Sequence, residues 1–427
     1  VWVVVVAVAH VWGVHVFADR PGARVPWPPL VAQWRPAFDL WGLVPVLAAV
    51  AAVGVVPRLA VRLSWRPLLA AGFLAAVGWA VALALADGPH GLTAPLSYPA
   101  DYLNDVGRVG DLGSFLRGFV PNIDTFAQHV RAHPPGMVLL LSLMDRVSLR
   151  GPGWEAGLVI GGGSAAVPAA MIAVREVADE ASARIAAPFL AISPAAVYVA
   201  TSGDALFMGV AAWAVTLAIM ATGRHGRAGD ALAVGGGLLL GVASMLSYGL
   251  ALVALIPLPV AVARRRARPL VLAAVGWGVV IAAFAGAGFR WWDGLEATTE
   301  QYGQSIARHR PQGYFWFGNL AAFAVVIGPA GCAGLAELRD RRIWLLAAGA
   351  LAAMVLADAT GLSRGETERI WLVFVPWVLV ACSALARTPL VRVGDHRARA
   401  SPEPSAALLA SNVAIALALQ LLLGTTW

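Results

Sequence analysis

The chain has 427 residues, 59% of them hydrophobic and only 13% charged, with a mean hydropathy of +0.74 and a net charge of +7. A soluble domain carries about 25% charged residues, so these figures exclude a soluble globular enzyme and indicate a polytopic membrane protein. All 31 basic residues are Arg, and the excess charge lies in short loops between apolar runs. It therefore reports topology and not a nucleic-acid surface.

Apolar runs rich in Ala, Val, Leu and Gly predict spans near 1–17, 41–56, 67–86, 156–174, 185–200, 205–221, 231–247, 250–263, 270–289, 315–335, 343–357, 370–386 and 405–424. Backbone polar groups must be satisfied within lipid, so runs of this composition imply helices, not a barrel. The expectation is an all-α transmembrane bundle of about 13 spans forming a single domain, 1–427. Two N-terminal spans (1–66) precede a core (67–335), and further spans follow (336–427). Residues 1–17 lack a basic n-region and a small-residue cleavage site and read as a first span. Cys332 and Cys382 fall in apolar runs and suggest neither a disulfide framework nor a metal site. The Gly161–Gly163 and Gly235–Gly237 runs lie within spans and suit close helix packing. Most Trp residues sit near span ends, as interfacial anchors do.

The segment Met137–Leu149 is apolar for only about 13 residues and ends in Asp145-Arg146, so whether it crosses is a parity question that arginine placement answers. If it does not cross, the loops 57–66, 175–184, 222–230, 264–269, 336–342 and 387–402 share one side and hold 18 Arg in 58 residues. The positive-inside rule makes that side cytoplasmic. The opposite side then collects the informative polar residues. They are Asp101 through His133 in a first loop of roughly 65 residues, too long for a mere connector, then Asp204, Tyr248, Arg308-His-Arg310, and Ser363 through Arg369.

An ionisable side chain persists in such a chain only where water, partners or chemistry accept it. A carboxylate takes a proton from an attacking hydroxyl, and arginines bind and stabilise a departing phosphate. No ATP-binding motif is present. Asp101 and Asp105 are the candidate catalytic acids. Tyr102, His129, Arg131, His133, Asp204, Tyr248, Arg308, His309, Arg310, Arg364, Glu366 and Arg369 are candidate substrate contacts. Each has an ordinary structural alternative: loop acids capping a short helix, a Pro-led helix start at His133-Pro-Pro, and a self-contained salt-bridge knot at Ser363–Arg369.

Taken in order, His133-Pro-Pro-Gly136, Ser193-Pro194 followed by Asp204, and Arg308-His-Arg-Pro-Gln-Gly-Tyr-Phe-Trp-Phe317 behind an acid-bearing first loop resemble the GT-C superfamily of membrane glycosyltransferases. The likeness is to the branch with protein O-mannosyltransferases and the lipid A aminoarabinose transferase. It covers roughly residues 67–335. Two spans precede the usual first one, the usual Asp-Glu pair is not intact, and a lysine often found near Ser247-Tyr-Gly249 is absent. The resemblance implies transfer of a hexose or pentose from a polyprenyl-phosphate donor to an extracytoplasmic acceptor, with inversion. It also implies a bacterial plasma-membrane location, with membrane lipid as surroundings and a divalent cation left open. The rival expectation is a transporter or flippase for a lipid-linked or anionic solute, which needs ionisable groups near the bilayer midplane and broken helices in paired halves.

Overall fold

A computed structural model describes residues 1–425 other than 388, 389, 394, 395 and 400–402. Among the described residues, nine helices are long and apolar enough to cross a membrane: α2 (Leu43–Arg62), α3 (Trp65–Asp87), α6 (Pro152–Val177), α8 (Asp204–Thr222), α9 (Gly226–Leu246), α11 (Arg268–Gly286), α13 (Gln312–Glu337), α14 (Arg341–Ala359) and α15 (Thr367–Ala384). Three shorter apolar helices join them, α1 (Trp2–Phe17), α10 (Tyr248–Ala263) and α16 (Ala406–Leu422). The remaining expected span, 185–200, is instead the 12-residue helix α7 (Glu180–Ala191) followed by a 3-10 turn over Pro194–Tyr198. Pro194 has no N–H to continue an α-helix and restricts Ser193 to extended geometry. The architecture is all-α, with only short two-stranded ribbons.

Small residues let these helices approach closely. The backbone of Gly162 in α6 lies against Gly209 of α8, where an added Cβ would fall on the Gly162 carbonyl, and Gly237 meets Ala273 in the same way. Helix α13 breaks at Gly328, whose φ of 69° is left-handed, just before Pro329. The backbone groups freed by the break are taken up by Asn412 of α16. Its Oδ1 accepts from the Ala330 N–H at 2.9 Å, and its Nδ2 donates to the Ile327 carbonyl at 3.3 Å. A break at membrane depth is tolerated because a neighbouring helix satisfies it.

The arginine-bearing loops interlock at one end of the bundle. Arg184 donates to the carbonyls of Ala60 and Leu63, Arg264 to the carbonyl of Glu176, and Arg342 reaches Asp179. Arg175 lies over the Trp65 ring. The sixth loop, 387–402, is described only in part, including the backbone hairpin Leu390–Val393 with His396–Arg399. The rest of it, with part of the polar linker expected over 395–405, lies outside the described residues.

The opposite end carries the polar segments. Here the short helix α4 (Leu112–Phe119) buries Phe115, Leu116 and Phe119, and α5 (Gly136–Arg146) follows. Eleven residues rise about 16 Å, half the hydrocarbon thickness. Both ends of α5 are tied to this same end of the bundle: Gly136 packs on the Met245 backbone at the end of α9, and Arg146 donates to the Gly110 carbonyl at 2.8 Å. It does not cross, as the arginine distribution requires. The strand Ala32–Trp34 pairs antiparallel with Leu423–Thr425, fixing the loop after α1 and the end of α16 together. Between the polar loops, α12 (Trp291–Gln304) packs Trp291 into the core.

Candidate functional site

Asp101 caps the 3-10 turn Tyr102–Arg108, its Oδ1 accepting from the Tyr102 N–H at 2.6 Å. The cap holds an ionisable group at only 1% exposure. His129 Nδ1 lies 3.2 Å from the other carboxylate oxygen, and the His129 N–H donates to the Ala100 carbonyl, so the two loop segments are stitched side by side. The carboxylate can only accept, so Nδ1 carries the proton.

One helical turn later, His133 Nδ1 donates to the His129 carbonyl at 2.8 Å and lies 3.1 Å from the Tyr102 hydroxyl. Both rings pack against Phe207. Burial pulls the His133 imidazole down to about 4, against the nearby Asp204 charge, so it is neutral at pH 7. Burial also raises the Tyr102 phenol well above its usual range, and the charges of Asp204 and Asp101 add to the effect.

Asp204 stands in the first turn of α8 and receives Arg369 Nη1 at 2.7 Å. Arg369 Nη2 reaches Glu366 at 2.8 Å, and the other Glu366 oxygen lies 3.2 Å from Arg310 Nη1. Arg310 Nε then donates to the Ala23 carbonyl at 2.9 Å. Acids and guanidiniums thus alternate along a buried line joining α8, the Glu366 turn, the segment before α13 and the loop after α1. Burial pushes the Glu366 carboxyl up, but Arg369 and Arg310 outweigh it and hold the group below its usual range.

Asn319 of α13 organises the turn carrying Glu366. Its Nδ2 donates to Asp358 at 2.8 Å and to the Ser363 carbonyl at 2.5 Å, while its Oδ1 accepts from the Gly365 N–H and the Thr367 hydroxyl. Glu366 itself has a φ of 63°, a backbone strain that such anchoring sustains. A small cavity of about 60 Å³ borders this region, lined by Asp204, Phe207, Ser247, Gly249, Ser363 and Trp371 among others.

The remaining expected residues divide. Both Asp105 oxygens are committed within the loop, one to Arg108 at 3.0 Å and the other to the Ala127 N–H at 2.7 Å. Arg310 is buried in the ion-pair line, whereas Arg308 and His309 are exposed and contact each other at 3.0 Å. Arg364 spans to Gln312 at 2.9 Å, and its N–H reaches the Tyr302 hydroxyl at 2.7 Å. Tyr248 packs on Trp291, and the Arg131 carbonyl accepts from Thr298.

Two buried acids were not among the named candidate contacts, although Glu368 lies within the Ser363–Arg369 segment. Glu155, in the first turn of α6, lies within hydrogen-bonding reach of Asp101, yet neither of its oxygens has a donor. An acid opening an otherwise apolar run was the available signal. Glu368 receives the Val31 N–H at 3.0 Å, fastening the loop after α1 over the Glu366 turn. No sequence pattern announces a contact between residues so far apart. Among the described residues, no group of three or more His, Cys, Asp or Glu side chains is arranged to hold a metal ion.

No family model and no curated protein sequence matches the chain. Solved structures to which the chain is similar include ArnT from Cupriavidus metallidurans in the apo state, at TM-score 0.41 and 18% identity over 65% of this chain and 55% of that one. The Archaeoglobus fulgidus oligosaccharyltransferase complex with zinc and sulfate gives 0.34 and 18%, over 64% and 44%. The archaeal oligosaccharyltransferase AglB from Archaeoglobus fulgidus, with an inhibitory peptide and a dolichol-phosphate, gives 0.30 and 15%, over 64% and 46%. The chain spans about half the length of these proteins.

Proposed function

We propose that the chain is a membrane glycosyltransferase that moves a sugar from a polyprenyl-phosphate carrier onto an acceptor hydroxyl. The observation that carries this reading is that Tyr102, capped by the buried Asp101 carboxylate, packs its ring against Gly203 beside Asp204, whose partner is the buried Arg369 guanidinium. A transfer from a lipid phosphate needs those two charges: an acceptor for the hydroxyl proton and a fixed cation for the phosphate that leaves. The sequence resemblance to GT-C enzymes supports the same chemistry. The arginine-laced end is the cytoplasmic one by charge bias, which turns the site outward in a bacterial plasma membrane.

In this mechanism Asp101, held by His129, takes the proton as the acceptor oxygen attacks the anomeric carbon. The bond to the phosphate oxygen breaks in the same displacement, inverting configuration. Arg369 and Arg310 supply positive charge for the departing phosphate, and neutral His133 with Tyr102 shapes the wall between base and cation. Asp204 keeps Arg369 in place and borders the cavity. Asp105, neutralised by its ion pair with Arg108, ties the loop.

Purified protein offered labelled polyprenyl-phosphate sugars together with candidate acceptors provides the test. Wild type is expected to transfer label, and Asp101→Asn, measured on protein confirmed to be folded, to lose about 10²–10⁴-fold in kcat. Full activity in Asp101→Asn removes Asp101 as the base. Movement of the intact labelled donor across vesicles without transfer favours the flippase reading.

A further inference from the structure

Glu155 plays no part in the displacement as written, and its surroundings are unusual. It is 1% exposed, stands in the first turn of α6, and faces the Asp101 carboxyl. Among the described residues, no hydrogen-bond donor reaches either of its oxygens. Asp101 is already engaged on its other contacts, accepting from the Tyr102 N–H and from His129. The titratable and charged groups around the pair are Tyr102 and His129, with Asp204 next to the Gly203 backbone that the Tyr102 ring approaches, and Arg369 paired to Asp204.

Two carboxyl groups brought together away from water do not both ionise. An unpartnered carboxylate at this depth is costly, whereas a single proton placed between the two acids gives each a hydrogen bond. The pair then carries one negative charge, already oriented on its other side by His129 and the Tyr102 N–H.

We propose that Glu155 is a positioning residue: it retains that proton, donates it as a hydrogen bond to Asp101, and so holds Asp101 ionised and aimed at the acceptor hydroxyl. This role rests on Asp101 being the base. The proton taken from the acceptor ends on Asp101, the electron pair of the broken bond leaves on the lipid phosphate, and the proton on Glu155 does not leave it. The two carboxyls share that one proton. Its loss at high pH sets two charges against each other, so the wild-type rate falls on the alkaline side.

Infrared spectra and kinetics of the full-length protein in lipid nanodiscs test the role. Wild type at neutral pH is expected to show a buried protonated-carboxyl carbonyl band that is absent from Glu155→Gln. In kinetics, Glu155→Ala is expected to lose about tenfold or more in kcat with little change in KM. Glu155→Gln, which keeps a donor, recovers most of that loss but lacks the alkaline limb. A missing band in wild type overturns the proposal, as does a fully ionised pair that binds Mg²⁺ or Mn²⁺, or a Glu155→Ala enzyme with the wild-type rate and pH profile. The infrared readout needs no turnover. Failure of wild type to transfer any sugar therefore sinks the enzyme reading, whereas normal transfer without the band sinks only the role of Glu155.

Discussion

Both ends of the bundle carry arginine–carboxylate pairs, but under opposite conditions. At the arginine-laced end, the Arg268 side chain is 71% exposed beside Asp230, and Arg342 is 53% exposed beside Asp179 and Asp340. At the site end, Arg310 and Arg369 are only 4% and 8% exposed. Water screens the first group, so each pair contributes little to stability and serves mainly to mark the side of the membrane. The second group has lost its hydration, and its mutual attraction must offset that loss. Uncharged side chains of similar volume often fill such a space at no greater cost, so the ion-pair line is costly to bury, in keeping with the role proposed for it.

Substitutions can break this contrast, and the largest structural effect is expected at Arg369. Arg369→Gln removes the guanidinium from two buried carboxylates and should destabilise the fold by about 3–5 kcal/mol in denaturant titrations. Adding Asp204→Asn should recover part of that, because the two residues are directly coupled. Asp105→Asn should cost less, about 1–3 kcal/mol, by weakening the bonds to Arg108 and the Ala127 N–H. It should leave kcat far closer to wild type than Asp101→Asn does. An equal catalytic loss at Asp105 would reverse their roles.

A smaller effect follows from His133. Its folded-state value, about 4, lies below the ordinary 6.5, so between those values the unfolded chain binds a proton that the folded chain does not. Stability from this group is full above pH 6.5 and is lost as pH falls toward 4. His133→Gln should flatten that part of the melting-temperature profile, and an unchanged profile would show that the imidazole is not held neutral. The smallest effect is expected at the opposite end, where Arg268→Gln should leave the melting temperature within experimental error. A clear drop there would mean that the two ends do not differ as their exposure implies.

Much of the frame was legible in the chain. The apolar runs, the arginine bias and the short length of 137–149 together gave a noncrossing α5 and the grouping of polar segments at one end. The span expected over 185–200 is a helical segment interrupted at Ser193-Pro194, and the count of 13 spans is not confirmed. Within the site, the residues flanking His133-Pro-Pro and the acid Asp204 stood out through their polarity against an apolar background. Glu155 did not, since one acid at the mouth of a span looks like an ordinary interfacial residue until its neighbour is known. Arg308 and Arg310 were equivalent on paper, and packing buried one while leaving the other in solvent.

By itself the sequence determined which stretches enter the lipid and which end gathers positive charge, because hydropathy and loop charge act locally and add along the chain. Only the tertiary structure decided which acids meet which partners. Asp204 and Arg369 are 165 residues apart, and Asp101 finds Glu155 only once α6 has packed. Such pairings depend on how helices settle against one another, through close approaches such as Gly162 on Gly209, and no local pattern records them.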